Sequence, residues 1–229
     1  MNWREYWNGP HPIYVNQRHH ELHFQLIARD ITALFPSPEA VVLDYGCGEA
    51  FTAADLAAKC GKLYLFDTAE TVRAQVARRT QGNSRIQVLD EPGLAALEPH
   101  SLDLIVVNSV LQYLSRQEFV DLLRLAQAKL KPGGALALGD VIPEDANALS
   151  DTLALLDFGR KGGFLLAALG GLVRTVFSDY RKLRDTLGLA RYSEAGMLAI
   201  LRENGFSGAR AAHNIGHNQG RMLFIAKPI

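Results

Sequence analysis

The chain has 229 residues, of which 48% are hydrophobic and 21% are charged, so it is long enough for one α/β domain with a sizeable core. The 24 Lys and Arg residues balance the 24 Asp and Glu residues, and the overall charge therefore gives no indication of a nucleic-acid partner. The longest apolar run, residues 162–177, is shorter than a membrane span, and the amino terminus has no signal-peptide pattern. Cys47 and Cys60 have no disulfide or metal-ligand spacing, and we expect a cytoplasmic protein.

Short apolar runs alternate with helical patterns along the middle of the chain. Continuous apolar runs are typical of strands covered by helices on both faces. The predicted strands are residues 40–45, 62–67, 85–90, 102–108 and 134–141, and the helices between them are residues 51–60, 70–81 and 116–130. This alternation predicts a doubly wound, mostly parallel sheet.

Three further segments complete the predicted organisation. Residues 1–39 contain a helix over residues 16–34 and form an N-terminal helical cap before the first strand. Residues 143–191 are too long for a plain crossover and are predicted to be a helical insert after strand five. A helix that begins at Ser193 precedes two strands, 208–215 and 222–227, which the short loop between them can join only in antiparallel fashion.

Polar residues and glycines follow the predicted strands at the edge where open α/β sheets bind their ligands. Strand one is followed by "DYGCGEA", in which Gly46 and Gly48 allow a tight turn and a close approach of a ligand to the backbone. Strand two ends at Asp67, about 20 residues on, where a carboxylate can accept both hydroxyls of a ribose. Asp90 and Glu91 follow strand three, and Asn108 ends strand four.

A nicotinamide-binding sheet shares the turn glycines and the carboxylate on strand two. Its fingerprint requires glycine or alanine at position 51, where this chain has Phe51. Without a third small residue the helix cannot pack closely against the strand, so the nicotinamide interpretation is the weaker one.

The pattern resembles that of the class I S-adenosylmethionine-dependent methyltransferases. "VVLDYGCGEAFTAADLA" is similar to their first motif, "LYLFDTAE" to their ribose-binding strand, and "SLDLIVVNSVLQYL" to their fourth-strand motif. "LAQAKLKPGGALAL" and "RMLFIAKP" resemble the segments that follow, and the likeness covers residues 40–142 and 192–228. It implies a Rossmann-like fold with a seven-stranded, mostly parallel sheet and an antiparallel last strand, formed by residues 40–229.

The same resemblance implies roles for individual residues. The loop with Asp44, Gly46, Cys47 and Gly48 would lie along the methionine part of S-adenosylmethionine. The other predicted binding residues are Asp67 and Thr68 at the ribose, Asp90 and Glu91 at the adenine, and Asn108 and Ser109 beside the sulfonium. Asp90 can equally be a helix N-cap, and Cys47 a small filler whose backbone matters. The third glycine of the family motif is Ala50, which we expect to cost little.

A general base would come from segments that cover the site. Tyr14, His19 and His23, together with His20, are the candidates in the N-terminal block. The i,i+4 spacing of His19 and His23 suits a metal, but the helix carries no other ligand motif, so no metal is predicted. Packing or surface roles are favoured for these histidines, and the role of a general base comes second. His213 and His217 in the final hairpin are candidates of the same weight.

The predicted insert combines an apolar run with basic residues. From residue 160 to 191 there are 7 Lys or Arg against 2 Asp. The purely structural interpretation is a pair of helices that pack on the core and expose a solvated basic face. The functional one is a lid over an acceptor pocket for a hydrophobic or anionic molecule, or a peripheral contact with a membrane surface.

These features predict an enzyme that transfers a methyl group from S-adenosylmethionine to oxygen, nitrogen or carbon of a small molecule. Strand four ends "NSVL" and lacks the "NPPY"-type sequence of enzymes that methylate nucleic-acid amino groups, which argues against DNA or RNA as the acceptor. Two alternatives stay open at this point. One is a non-catalytic relative that serves as a partner subunit, and the other is a nicotinamide-dependent oxidoreductase.

Overall fold

A computed structural model describes residues 3–8, 14–176 and 188–229 of the chain. Its sheet has seven strands in the order β3-β2-β1-β4-β5-β7-β6. The strands are β1 Val41–Tyr45, β2 Lys62–Phe66, β3 Ile86–Leu89, β4 Leu102–Asn108, β5 Leu130–Val141, β6 Phe206–Arg210 and β7 Met222–Pro228. Strands β1 to β5 pair in parallel, whereas β7 is antiparallel to both β5 and β6. The predicted sheet class and its antiparallel last strand are confirmed.

Helices lie on both faces of this sheet and above its carboxyl edge. They are α1 Trp3–Trp7, α2 Gln17–Thr32, α3 Ala53–Ala57, α4 Glu70–Thr80, α5 Glu91–Ala96, α6 Arg116–Lys129, α7 Ala148–Gly162, α8 Leu165–Val176 and α9 Glu194–Glu203. Several begin where the sequence supplies a cap. The side chain of Ser115 accepts a hydrogen bond from the Glu118 amide, and the carboxylate of Glu118 accepts one from the Ser115 amide. These two bonds form a capping box at the start of α6.

The central strands are buried on both faces, as their continuous apolar sequences predict. One core cluster, which includes Leu43, Ile105 and Phe224, packs against α5, α6 and α9. The other, which includes Val42, Val106 and Ala137, packs against α2 and α3. Because successive side chains of a strand point to opposite faces, the neighbouring residues Val42 and Leu43 pack into different core clusters. The sheet is therefore a rigid base for the loops at its edges.

Two strands differ from their predicted bounds by four residues or more. β5 begins at Leu130, four residues early, because Leu130 already pairs with Leu102 before a shift in register leads into the glycine turn. β6 ends at Arg210 instead of reaching residue 215, because Asn214 leaves the ladder. Its side chain accepts a hydrogen bond from the Asp140 amide and donates to the Ile215 and Asn218 carbonyls.

The predicted insert lies partly outside the described residues, and its described part contains a helical hairpin of α7 and α8. Gly163 adopts a left-handed φ of 75° at the end of α7, the usual role of a helix-terminating glycine. Gly159 allows the backbone of α8 to approach, since a Cβ there would lie 3.0 Å from the Cβ of Ala168. The two ends of the segment meet in a bridge between Pro143 and Tyr192. None of the helices in the described part of the chain combines the length and the apolar character needed to cross a membrane.

Candidate active site

A cavity of about 1720 Å³ lies at the carboxyl ends of β1, β2, β4 and β5. Its floor comes from residues that follow these strands, and its walls come from α1, α2 and the 3₁₀ turn Leu111–Tyr113. This is the edge of an open α/β sheet where ligands bind, at the point where the strand order reverses between β1 and β4. The predicted binding residues Asp44, Gly46, Cys47, Gly48, Asp67, Thr68, Asn108 and Ser109 all line it.

The loop after β1 is held tightly against β2. The amides of Gly46 and Cys47 both donate to the Phe66 carbonyl, at 2.7 and 3.0 Å. Gly46 has a φ of 80°, and a Cβ at this position would lie 2.3 Å from Cγ2 of Val110. Glycine is therefore required here for two reasons, its left-handed backbone and the contact with the β4 side of the cavity. Ala50 also has a positive φ, 43°, so the third motif position demands a conformation that alanine adopts only with strain.

Asp67 organises the turn between β1 and β2. Its Oδ2 accepts from the Gly48 amide at 3.0 Å and its Oδ1 from the Ala69 amide at 2.9 Å. Burial raises the pKa of this carboxyl, while the two amides and the Arg73 guanidinium oppose that rise. Each carboxylate oxygen keeps a second lone pair, so the group can accept hydrogen bonds from a ligand while it fixes the loop.

Asp44 lies at the base of the same loop and is buried. Burial, reinforced by the negative charge of Asp67, raises the pKa of Asp44 to about 7. Burial also raises the pKa of the Cys47 thiol, so this cysteine stays protonated and acts as a filler. Two neighbouring carboxylates in a poorly solvated cavity favour a ligand that brings a positive charge.

A second polar group lies where β4 and β5 end. The Ser109 hydroxyl donates to Oδ2 of Asp140 at 2.8 Å, and burial raises the pKa of the Asp140 carboxyl. Ser109 and Asp140 have φ values of 59° and 56°, in the left-handed region that only a small fraction of non-glycine residues adopt. Within the described residues, the buried Oδ1 of Asn108 and Oε1 of Gln112 have no hydrogen-bond partner. Asn108 and Ser109 were predicted at the site from their place at the end of strand four, but Gln112 and Asp140 were not.

The two predicted adenine residues are placed differently from the rest. Neither Asp90 nor Glu91 is among the residues that line the cavity. Asp90 accepts from the Gly93 amide at 2.8 Å and is the N-cap of α5, and exposed Glu91 lies 3.6 Å from the Arg73 guanidinium. The geometry thus shows the capping role of Asp90, and a contact with a ligand stays a prediction.

Aromatic side chains from α1 form one wall of the cavity. Trp3 and Trp7 pack on Tyr113, with ring centroids 4.7 and 5.5 Å apart. Tyr6 lies beside both tryptophans. A hydrogen bond of 3.1 Å from the Thr71 hydroxyl to the Asn8 carbonyl joins the end of α1 to the start of α4. These rings give the cavity an apolar region next to the polar floor.

The predicted base candidates separate into two groups. Tyr14 and His23 line the cavity, whereas His19, only 6% exposed, stacks on Phe164 and accepts from the Val15 amide. Burial lowers the pKa of His23 to about 3 and that of His19 to about 4, with His217 adding to both shifts. Burial and the nearby Glu49 charge raise the pKa of Tyr14. All three groups are therefore neutral near pH 7.

His19, His23 and His217 pack against one another and against phenylalanine rings. His217, whose pKa burial also lowers, stacks on Phe158 at 4.6 Å, and its ring lies 6.1 Å from that of His23. Across the residues that the structure describes, no group of His, Cys, Asp and Glu is arranged to hold a metal ion. Packing, the favoured interpretation of the sequence, describes His19 and His217 well.

Comparison with known proteins gives one family match. Residues 42–134 match the model of a methyltransferase domain family. No curated protein matches the chain in sequence.

Solved structures resemble the whole fold. Magnesium protoporphyrin IX methyltransferase (ChlM) from Synechocystis PCC 6803, solved with bound SAH, is 20% identical, with a TM-score of 0.58 over 97% of this chain and 91% of that one. A SAM-dependent methyltransferase from Aquifex aeolicus is 17% identical, with a TM-score of 0.58 over 95% of this chain and 98% of that one.

A chain of the complex that contains the Haloferax volcanii Trm112 methyltransferase activator is 13% identical, with a TM-score of 0.61 over 100% of this chain and 98% of that one. At these identities the likeness establishes the fold. The family-model match covers the glycine loop and the first four strands, so this part of the chain is similar to a methyltransferase domain.

Proposed function

We propose that the chain binds S-adenosylmethionine along the glycine loop and transfers its methyl group to oxygen, nitrogen or carbon of a small, apolar acceptor. One observation carries this proposal. A single cavity joins the glycine loop and Asp67 to a wall of aromatic rings. Its volume of about 1720 Å³ exceeds the roughly 300–1,000 Å³ of ordinary ligand pockets, so it has room for a donor and an acceptor together.

The donor half of the cavity consists of Asp44, Gly46, Gly48 and Asp67. The bare backbone at Gly46 and Gly48 lets a ligand lie against the chain, and Asp67 supplies acceptor lone pairs for ribose hydroxyls. Asp44 offers a negative charge to the amino group of the methionine part. The residues present therefore fit S-adenosylmethionine, which when bound supplies a methyl group already activated by its sulfonium.

The acceptor half consists of Trp3, Trp7, Tyr113 and Asp140. The rings bury an apolar molecule, and holding it in line with the donor is the main catalytic task, because the methyl group needs no further activation. Neutral His23 and Tyr14 complete the wall between this half and α2. A predominantly apolar lining with a few convergent polar groups is typical of small-molecule sites.

Asp140 is the group best placed to hold a proton that an oxygen or nitrogen acceptor loses. It lies in the cavity, it is oriented by Ser109, and its burial makes it a stronger base than an ordinary carboxylate. With S-adenosylmethionine bound as the methyl source, the Asp140 carboxylate would accept the proton that the acceptor oxygen or nitrogen loses on methylation. His23, whose pKa is about 3, is a weaker candidate because its ring binds a proton poorly at neutral pH. Tyr14 is weaker because burial raises its pKa, so its phenol already carries a proton.

Calorimetric titration with SAH tests the donor half. We expect binding of one SAH per chain and none of NAD, which would instead support the oxidoreductase alternative. Absence of SAH binding would contradict the proposal.

The only two tryptophans of the chain, Trp3 and Trp7, both line the acceptor half and make it observable without a known substrate. Apolar hydroxyl and amine compounds should change tryptophan fluorescence in the SAH complex, and binders should be methylated when tested with S-adenosylmethionine. Asp140→Asn should retain SAH binding and lower the methylation rate. If Asp140→Asn methylates at the wild-type rate at every pH tested, Asp140 is excluded as the proton acceptor.

A further inference from the structure

The α7–α8 hairpin carries an unusual share of the exposed apolar side chains. Seven large hydrophobic residues of the described chain are exposed, and five of them are leucines of this hairpin: Leu149, Leu153, Leu165, Leu166 and Leu169. On α8, Leu165, Leu166 and Leu169 share one face of the helix, and they are 37%, 85% and 46% exposed. We call these three residues the leucine face. Isolated exposed leucines are ordinary, but a contiguous set indicates a contact surface.

The opposite side of α8 is packed inside the protein. Ala168 is buried against α7, and Gly171 lies so close to Val15 that a Cβ there would be 2.1 Å from its Cγ1. Gly171 and Val15 also line the cavity. The leucine face therefore lies on the outer side of α8, whereas the inner side of the same helix is part of the cavity wall.

Positive charge borders the leucine face at the turn of the hairpin. Arg160 and Lys161 end α7 and are 67% and 66% exposed. Arg18 of α2 reaches the same turn, where its Nε donates to the Gly162 carbonyl at 3.4 Å. The one carboxylate among them is that of Asp157, which lies 2.8 Å from Arg160 and 2.6 Å from Lys161. Three cations against one anion leave this edge positive.

We propose that the leucine face docks on the surface of an anionic phospholipid bilayer. Leucines that enter the boundary between headgroups and acyl chains, beside cations that contact the headgroups, are the usual components of an interfacial anchor. Docking rests on this surface alone and holds whether or not the proposed acceptor is correct. It would place the hairpin side of the cavity next to a source of apolar molecules.

A second copy of the chain is the less favoured occupant of this surface. A two-fold contact through the leucine face would bring Arg18, Arg160 and Lys161 of both copies toward one another. Like charges at such a contact would weaken it, whereas an anionic bilayer attracts the same three residues.

Vesicle flotation of the full chain tests the proposal. We expect binding to phosphatidylcholine vesicles that contain 30% phosphatidylglycerol (about one lipid in three being anionic) and weak binding to phosphatidylcholine alone. Leu166→Gln with Leu169→Gln should weaken partitioning roughly 100-fold, since two leucines no longer enter the bilayer and the charge is unchanged. Arg160→Gln with Lys161→Gln should weaken it about 20-fold, and only on the anionic vesicles.

Two controls make the result specific. Ile229→Gln changes an exposed apolar residue outside the hairpin and should float like the wild type. Calorimetric SAH titration should give wild-type affinity for the leucine variants, which separates a docking defect from misfolding and from failure of the proposed function. Absence of flotation on anionic vesicles, or equal flotation of the leucine variants, would overturn the proposal. A dimer that the leucine variants dissociate, without flotation, would assign the surface to a second copy instead.

Discussion

The two halves of the cavity are built in different ways. The donor half comes from one short loop and the end of the neighbouring strand, and Gly48 and Asp67 are only 19 residues apart. The acceptor half assembles Trp3, Tyr113 and Asp140 from α1, the 3₁₀ turn after β4 and the end of β5. Contacts made within one βαβ unit fix the donor half, whereas long-range packing fixes the acceptor half. Donor binding and acceptor choice can therefore be changed separately, and the following experiments test that separation.

The largest effect is expected from Gly46→Ala. The new Cβ would meet Val110 at 2.3 Å and would require alanine at a φ of 80°, so SAH affinity should fall roughly 100-fold, on the order of 3 kcal/mol. Gly82→Ala is the matched control, because Gly82 has a similar φ of 86° with open space around it. Calorimetry measures both.

Adding Val110→Ala to the Gly46 variant removes the clash and should restore part of the affinity. A Gly46 variant that binds as well as Gly82→Ala would show that the loop does not meet the ligand.

Asp67→Ala should have the next largest effect. The variant lacks the carboxylate that would accept from the ribose hydroxyls, and its loop loses the hydrogen bonds that Asp67 accepts. It should therefore bind SAH about 1–3 kcal/mol more weakly. Asp103→Ala is the control at the other end of the sheet, where Asp103 accepts from the Val41 amide and from Lys131. Both variants should unfold at lower temperature, but only the first should bind less well. Equal losses of affinity in the two would attribute the effect to folding.

The pH dependence of donor binding should follow Asp44. Its pKa is about 7 without ligand, and a cationic amino group beside it lowers that value, so the complex favours the ionised form. SAH affinity should be constant above pH 7 and fall about tenfold per unit below it, until the pKa of the complex is reached. In Asp44→Asn the affinity should be lower and independent of pH. A flat profile in the wild type would remove Asp44 from the binding site.

The same carboxyl has an opposite effect on folding. The folded pKa lies above the ordinary value of 3.8, so the ligand-free protein loses stability as the pH rises from about 4 to about 7. Asp44→Asn should therefore raise the melting temperature of the ligand-free protein at pH 8.

The smallest expected effect is on the pH dependence of stability at His23, which lies beside the acceptor half. It has the opposite sign to the effect of Asp44. His23 has a folded pKa of about 3, below the usual 6.5, so folding loses stability as the pH falls below 6.5. His23→Phe should lose about 1 kcal/mol less between pH 7.5 and pH 6 than the wild type, as measured by urea unfolding. His213→Phe, at an exposed position, controls for the substitution itself. Equal pH sensitivity in all three would show that His23 does not stay neutral.

The donor half was predictable because parallel strands end at one edge of a sheet. Once β1 and β2 were recognised from their apolar runs, Gly48 and Asp67 had to lie close together, and their hydrogen bond shows that they do. The acceptor half had no comparable signal. Helix α1 has five residues, too few for a periodic pattern, and nothing near it in sequence indicates a contact with Tyr113.

Asp140 was missed for a different reason. It lies within the apolar run of predicted strand five, and alternation along a strand does not reveal that its backbone turns to a φ of 56°. Arg221, the residue before β7, forms an ion pair of 2.8 Å with Asp151 of α7, and this contact between residues 70 positions apart had no signal in the sequence either. Sequence patterns predict elements and their order well, but contacts between distant elements depend on packing that no local pattern records.

The bridge between Pro143 and Tyr192 has an evolutionary consequence. The Tyr192 amide also donates to the Ile142 carbonyl at 2.9 Å, so the chain leaves the sheet and returns to it at nearly the same place. Everything between those two points is an excursion that can be shortened, lengthened or replaced like a cassette, without stretching the strands on either side. Exchange of this segment would alter the part of the cavity wall that Gly171 and residues 188–190 contribute, while the strands and the glycine loop stay as they are.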